Sequence, residues 1–358
     1  MDKSEEPKTS VTLDWATAGY HSGWFRATRK ISGILFFLDV VEFAVWFSYP
    51  ETYFFLRIFF ILLIISASWL LLVGLVNRIT ARWVPISAPD VISKDLRIHI
   101  GGEITLTGLE FLPARVAPPY PVAIALHGYN SGRGQLNFLN LALCQLGIAV
   151  LSYDLRGHGD TAGDRNDILF LIRDLNRTLE YIRTRPDLDA SRVVVIGLSL
   201  GAIISLYEGY LDPRVRHVIG LATTSEYKTM IAENIRPLSK KWWWKLNQRI
   251  GGLEVDPSAL QSRLVSPALI ANSRKTYFDT PIPWEVDNAQ RVLVLQCADD
   301  YIVEPDNFQR NVKAFLLPPP NVLLFRKGGH GFIQQEMGVV GKIAGWLKDR
   351  NFLEKGSS

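Results

Sequence analysis

Only two cysteines, Cys144 and Cys297, occur in 358 residues, too few and too far apart for a disulfide framework or a zinc-ligand pair. Their scarcity leaves the compartment undecided. Charge of one sign is also in short supply: 39 basic and 35 acidic residues give a net charge of +4. No block of about five like charges occurs, which argues against a nucleic-acid partner. A Gly-rich phosphate loop, a dinucleotide fingerprint and a cluster of metal ligands are all missing, so no cofactor is implied. No internal repeat is evident. One absence is local, for the run from Ile58 to Val76 (IFFILLIISASWLLLVGLV) contains no charge at all.

At a rise of about 1.5 Å per residue that run covers roughly the 30 Å hydrocarbon thickness of a bilayer, whereas a buried soluble helix of its length would show a polar stripe. Residues 1–30 are mostly polar. Ile31 to Phe47 is apolar except for Asp39 and Glu42, and Ser48-Tyr49-Pro50-Glu51-Thr52 reads as a turn. Residues 31–83 are thus expected to form a membrane anchor, a helical hairpin whose second span is about 58–76. The alternative is that the first segment lies in the interface and only the second spans. Asp39 and Glu42 share a helix face and need a partner in lipid, for which Arg57 is the first candidate. No cleaved signal peptide is expected, since a long polar stretch precedes the apolar one. Arg26, Arg29 and Lys30 precede the hairpin and Arg78 and Arg82 follow it, while the connecting loop has no basic residue. Both ends are therefore expected in the cytoplasm, the chain being multi-pass with its catalytic domain on that side.

From Val84 onward, short apolar runs alternate with helical patterns, the signature of an α/β fold with a mostly parallel, doubly wound sheet. Leu96–Ile100 and Ile104–Phe111 flank Gly101-Gly102 as an entry hairpin. Parallel strands are predicted at Val122–Leu126, Ala149–Tyr153, Val193–Ile196, His217–Leu221, Val292–Leu295 and Val322–Phe325. Helices are predicted at Gln135–Gln145, Asp167–Arg183, Leu200–Tyr210, Asp306–Phe315 and Gly331–Lys348. The interval between Leu221 and Val292 is too long for an ordinary connection, and residues 223–288 are read as an inserted cap.

Gly197-Leu198-Ser199-Leu200-Gly201 follows the apolar run Val193–Ile196 and opens a helical pattern. The pattern is weak alone and much stronger in that context, where its glycines let a strand turn sharply into a helix and lift a serine hydroxyl out of the sheet edge. A serine needs a base to become a nucleophile. Asp300 and His330 follow Ser199 in chain order, each just past a predicted strand, in Ala298-Asp299-Asp300-Tyr301 and Gly328-Gly329-His330-Gly331. Either alone reads equally well as structural, an aspartate capping a helix or a histidine on a glycine loop. Together with Ser199 they form a candidate triad, His330 as general base and Asp300 as its orienting acid, with Asp299 as the fallback acid. Oxyanion donors are expected from the backbone N–H groups of Leu200 and of Tyr129, in Leu126-His127-Gly128-Tyr129. His127 is read as orienting that loop. In the cap, Lys240-Lys241-Trp242-Trp243-Trp244-Lys245 suits either contact with substrate and headgroups or a cap core with one indole over the pocket.

These residues resemble the α/β-hydrolase superfamily and, within it, the serine esterase, lipase and peptidase-like group that includes monoglyceride lipases. The resemblance covers about Ile98 to Leu347. Asp154-Leu155-Arg156-Gly157-His158-Gly159-Asp160-Thr161 is similar to that group's Asp-x-Arg-Gly-His-Gly-x-Ser loop, with Thr161 replacing serine, and its Arg156 and Asp154 are read as loop braces. Gln296-Cys297 departs from the group, in which many members have His-Gly. A serine nucleophile disfavours the dehalogenase and epoxide hydrolase chemistry that the superfamily conducts with aspartate. The triad and the resemblance imply an α/β-hydrolase domain over 84–354 that cleaves an ester through an acyl-serine, while the anchor and the cap indoles point to an apolar acyl ester as substrate and to the lipid bilayer as neighbour. Acyl transfer, peptidase or thioesterase action with the same triad, and a catalytically silent membrane scaffold, are the alternatives.

Overall fold

The computed structural model describes residues 58–66, 68–69, 90–129, 131–166, 168–227, 240, 266–272 and 287–353. Its centre is one eight-stranded sheet of β1 (Val91–Gly101), β2 (Ile104–Pro113), β3 (Tyr120–Leu126), β4 (Ala149–Tyr153), β5 (Leu188–Leu198), β6 (Val215–Leu221), β7 (Val292–Cys297) and β8 (Val322–Phe325). The spatial order is β1-β2-β4-β3-β5-β6-β7-β8. β1 and β2 form the antiparallel entry hairpin, β2 joins β4 antiparallel, and every pairing from β4 to β8 is parallel. The turn between β1 and β2 places Gly101 and Gly102 at φ +104° and +60°, which only glycine adopts without strain.

The interior strands are apolar on both faces because helices cover both. On β3, Val122, Ile124 and Leu126 face one core, and Ala123 and Ala125 face the other. The first core is roofed by α2 (Ile168–Thr184), whose buried Ile168, Leu171, Ile172, Leu175, Leu179 and Ile182 recur at helical spacing, and by α3 (Leu200–Ile204). The second is closed by α1 (Asn137–Gln145) and α7 (Glu336–Lys348), through Leu139, Leu143, Val339, Ile343, Trp346 and Leu347. Between these lie the short α4 (Pro267–Asn272) and α5 (Asn288–Arg291) and then α6 (Pro305–Ala314).

Several boundaries differ from the sequence reading. β1 begins at Val91 and β5 at Leu188, because alternating or polar stretches there still pair with a neighbour. α3 ends at Ile204 and opens into a π turn over Ser205–Gly209, where the Ser205 hydroxyl donates to the Gly201 carbonyl one turn back. α7 begins at Glu336 and not at Gly331, since Phe332 and Gln334 take φ of 56° and 65°, outside the helical region.

Most of the predicted cap, including Trp242, Trp243 and Trp244, lies outside the described residues. So do residues 1–57, with Asp39, Glu42, Arg57 and the first hairpin segment. Residues 58–66 and 68–69 are helical, and Ile58, Phe59, Ile61, Leu62, Ile65 and Trp69 are all exposed. Among the described residues no helix is long and apolar enough to cross a membrane.

Candidate active site

Parallel strands deliver their following loops to one edge of the sheet, and Tyr129, Ser199, Leu200, Asp300 and His330 all follow the ends of such strands. Ser199 stands alone between β5 and α3, at φ +54° and ψ −111°. That backbone is sparsely populated for a non-glycine residue and is held by two bonds, Ser199 N–H to the Leu221 carbonyl at 2.9 Å and Ile203 N–H to the Ser199 carbonyl at 3.0 Å. The glycines on either side are there for contact. A Cβ on Gly197 would lie 2.0 Å from the Gly201 backbone, and one on Gly201 would lie 2.2 Å from the Leu126 carbonyl oxygen.

The loop after β3 comes up against the serine: a Cβ on Gly128 would be 3.3 Å from Ser199 Cβ. The Gly128 N–H is taken by Gln135 Oε1 at 2.7 Å, which ties the loop to the start of α1. His127 braces it from beneath. Its Nε2 accepts the Leu155 N–H at 2.9 Å, so Nδ1 carries the proton and donates to the Gly128 carbonyl at 2.7 Å. Burial pushes its pKa down to about 4 and keeps it neutral. Tyr129 follows, its phenol donating to Asn166 Oδ1 at 2.9 Å and its ring edge-on to His158. Leu200 is the first residue of α3, where a helix N–H has no acceptor within the helix. The N–H groups of Tyr129 and Leu200 thus belong to the two segments that flank Ser199.

Asp300 and His330 are brought together, with His330 Nδ1 donating to Asp300 Oδ2 at 2.8 Å. Asp300 is buried and His330 is 18% exposed. The remaining valences of the carboxylate are filled from its own loop and strand. Oδ1 accepts the N–H groups of Ile302 and Val303 at 2.9 and 3.0 Å, and Oδ2 accepts Gln296 Nε2 at 3.0 Å. Asp299 points elsewhere. Its carboxylate accepts the N–H groups of Gly328 and Gly329, at 3.2 and 2.8 Å, and so anchors the loop that carries His330. Those backbone donors hold the Asp299 carboxyl below the usual carboxylate range. The acid beside the imidazole is therefore Asp300 and not the fallback. No hydrogen bond joins Ser199 to His330 among the described residues. With Nδ1 committed to Asp300, Nε2 is the nitrogen left to face a serine, and such contacts tighten on substrate binding.

The Asp154–Thr161 loop is a brace, as read. Asp154 accepts the backbone N–H and a guanidinium N–H of Arg133, both at 2.7 Å, and the Asp160 N–H at 2.9 Å. Arg156 grips Asp174 on α2 through two bonds of 2.9 and 2.6 Å. Thr161 serves in serine's place, its hydroxyl accepting the Thr107 N–H of β2 at 3.0 Å. The sequence reading missed Gln135, Gln296 and Asn307. Asn307 Oδ1 gathers the Ser225 N–H and the hydroxyls of Thr224 and Ser225 at the end of β6. Only Gln296 had carried a signal, as a departure from a related motif. Among the described residues no group of side chains could hold a metal ion.

A sheet in this order, with serine after β5, an acid after β7 and histidine after β8, is the α/β-hydrolase fold. The family described as serine aminopeptidase, S33, matches residues 117–281. Esterase FrsA of Yersinia enterocolitica is 27% identical over 175 residues, 48% of this chain and 41% of that protein. The 20-hydroxy-prefusarin hydrolase of Gibberella moniliformis is 30% identical over 154 residues, 40% of this chain and 36% of that protein. The chain thus spans less than half the length of these relatives. An esterase of Pyrococcus furiosus superposes with a TM-score of 0.55 over 72% of this chain and 91% of its own, at 17% identity, a likeness of fold.

Proposed function

We propose that this chain is a serine hydrolase that cleaves an apolar carboxylic ester through an acyl-Ser199 intermediate, beside a lipid bilayer. The observation that carries the reading is the Asp300–His330 bond, made on a carboxylate whose other positions are already filled, at the same sheet edge as a strained serine. His330 Nε2 takes the proton of the Ser199 hydroxyl as Oγ bonds to the ester carbon. The carbonyl oxygen gains negative charge and is met by the N–H groups of Tyr129 and Leu200. When the tetrahedral centre collapses, the carbon–oxygen bond to the alcohol breaks and His330 gives its proton to the departing oxygen. Water then repeats the sequence on the acyl-serine, with Asp300 keeping the imidazole oriented and its positive charge balanced. The bilayer is supported by the exposed large apolar side chains of 58–69 and by the uncharged run that contains them. The indoles of Trp242, Trp243 and Trp244 would guide an acyl chain at that surface.

A fluorophosphonate probe tests the chemistry. Wild-type protein should be labelled at Ser199, and Ser199→Ala should not. Ester turnover should be lost in Ser199→Ala and His330→Ala, and reduced by a factor of hundreds or more in Asp300→Asn, while Asp299→Asn keeps most of it. Folded wild-type protein that resists the probe would make the chain a scaffold. Activity in Asp300→Asn with none in Asp299→Asn would reverse the assignment of the acid.

A further inference from the structure

At the opposite edge of the sheet from Ser199, a recess of about 410 Å³ opens between the starts of β5 and β6 and the end of α7. Ser191 lies at its rim and Ser199 at the far end of the same strand, roughly 25 Å away at about 3.3 Å per residue. Four arginines line it, Arg214, Arg216, Arg291 and Arg350, with His217, and no Asp or Glu does. Arg214 is neutralised by Asp212 and Glu180. The others turn to carbonyls: Arg291 to those of Asp212 and Val215, and Arg350 to those of Trp346 and Ala289 and to the side-chain oxygen of Asn321. Among the described residues Arg216 reaches only the Arg350 carbonyl, at 3.5 Å. Among the described residues neither Arg216 nor Arg350 has a carboxylate within ion-pair distance.

Buried polar atoms near this wall go unmatched. Arg350 Nε and His217 Nε2 have no partner, and neither has Trp346 Nε1, beneath the Arg350 guanidinium, which stacks 4.0 Å from the indole. An unpaired buried donor is a cost to the fold, and an anion in the recess would offset part of it through the charge it brings beside the guanidiniums. Burial lowers the Arg350 pKa from its ordinary value, opposed in part by the Asp349 and Asp287 carboxylates nearby. His217 adds no charge. Its Nδ1 donates to the Gln290 carbonyl, and burial, with Arg216, Arg350 and Arg291 nearby, pushes its pKa down to about 3. Its other nitrogen is buried, and the ring packs edge-on to Trp346 and Phe352.

We propose that this recess is a binding site for a phosphate-class anion, held by the guanidiniums of Arg216, Arg291 and Arg350 and independent of the hydrolytic centre. Guanidinium presents paired donors that match phosphate oxygens, and a recess of this volume admits a small phosphorylated molecule or a lipid headgroup.

The test is calorimetric titration of the full chain with inorganic pyrophosphate at fixed ionic strength. One saturable site is expected, with a Kd below about 1 mM, unchanged in Ser199→Ala and weakened about tenfold in Arg216→Gln. Arg216 is exposed and makes one long bond, so that variant should fold; Arg350→Lys, which keeps the charge, is the second variant and should weaken binding as well. Absence of saturable binding, or equal affinity in wild type and Arg216→Gln, would overturn the site. A parallel arm offers vesicles of phosphatidylcholine with and without phosphatidic acid. Capture by phosphatidic acid that pyrophosphate reverses identifies a headgroup as the source. Pyrophosphate binding without such displacement identifies a soluble phosphate, and both outcomes uphold the site.

Discussion

Gln296 shows how one side chain can adjust a catalytic pair without touching substrate. Its amide donates to the same Asp300 oxygen that receives His330, and to the Val303 carbonyl that closes the acid loop. Each donor on that oxygen draws electron density from the carboxylate, so Gln296 makes Asp300 a weaker acceptor for His330. Replacing Gln296 by Met should lower kcat/KM about tenfold, through kcat more than KM, as the acid loop loosens and the imidazole loses its fixed orientation. Steady-state kinetics with unchanged kcat and kcat/KM would assign Gln296 to packing alone. Ser199, Asp300 and His330 were legible in the sequence because strand-end loops after buried apolar runs converge whatever lies between them. Gln296 was not legible as a partner of Asp300, since the contact needs both the alternation of β7 and the turn after it to be known. Asp299 and Asp300 were separable only by where each carboxylate points.

The elements were legible to the extent that burial dictated them. Six parallel strands and the entry hairpin fall where apolar runs placed them, whereas the spatial order, with β4 between β2 and β3, could not be read from alternation alone. What was missed lies where polar contacts override the pattern. Phe332 and Gln334 read as helical by composition, yet the loop that positions His330 needs them in left-handed backbone. The elbow is the tightest of these junctions. Gly201 sits so close to β3 that a Cβ would meet Leu126 backbone at 2.2 Å and Leu126 Cβ at 2.8 Å, neither of which can withdraw without moving the strand. Gly201→Ala should therefore destabilise the domain by about 3 kcal/mol or more and displace Ser199 as well. Chemical denaturation together with probe labelling checks this. A variant with wild-type stability would mean that β3 and α3 can separate at no cost.

At the scale of the whole molecule, three buried neutral histidines among the described residues link stability to pH. His127 is pushed down to about 4, His158 and His217 to about 3, each chiefly by burial. In the unfolded chain each would take a proton near pH 6.5. Below that pH the unfolded state binds more protons than the folded one, so stability should fall as pH drops from about 6.5 toward 4, by an order of a few kcal/mol. Thermal melts across that range check the sign, and a flat profile would show that these rings are not held neutral. The proposed substrate is tested at the same scale. The sheet begins at Val91, and the stretch from Asn77 to Asp90 extends at most about 3.5 Å per residue, so an anchored domain stays within roughly 50 Å of the bilayer. A hydrolase confined there meets acyl chains at high local concentration. Each methylene buried beside Ser199 contributes about 0.8 kcal/mol, so lengthening an ester from four to eight acyl carbons should raise kcat/KM well over tenfold if all of it is buried. Replacing Trp242, Trp243 and Trp244 together by alanine should reduce turnover of esters presented in vesicles more than turnover of soluble short esters. Equal loss on both would assign the indoles to folding of the cap, and a preference for acetate over octanoate would remove the lipid-like substrate.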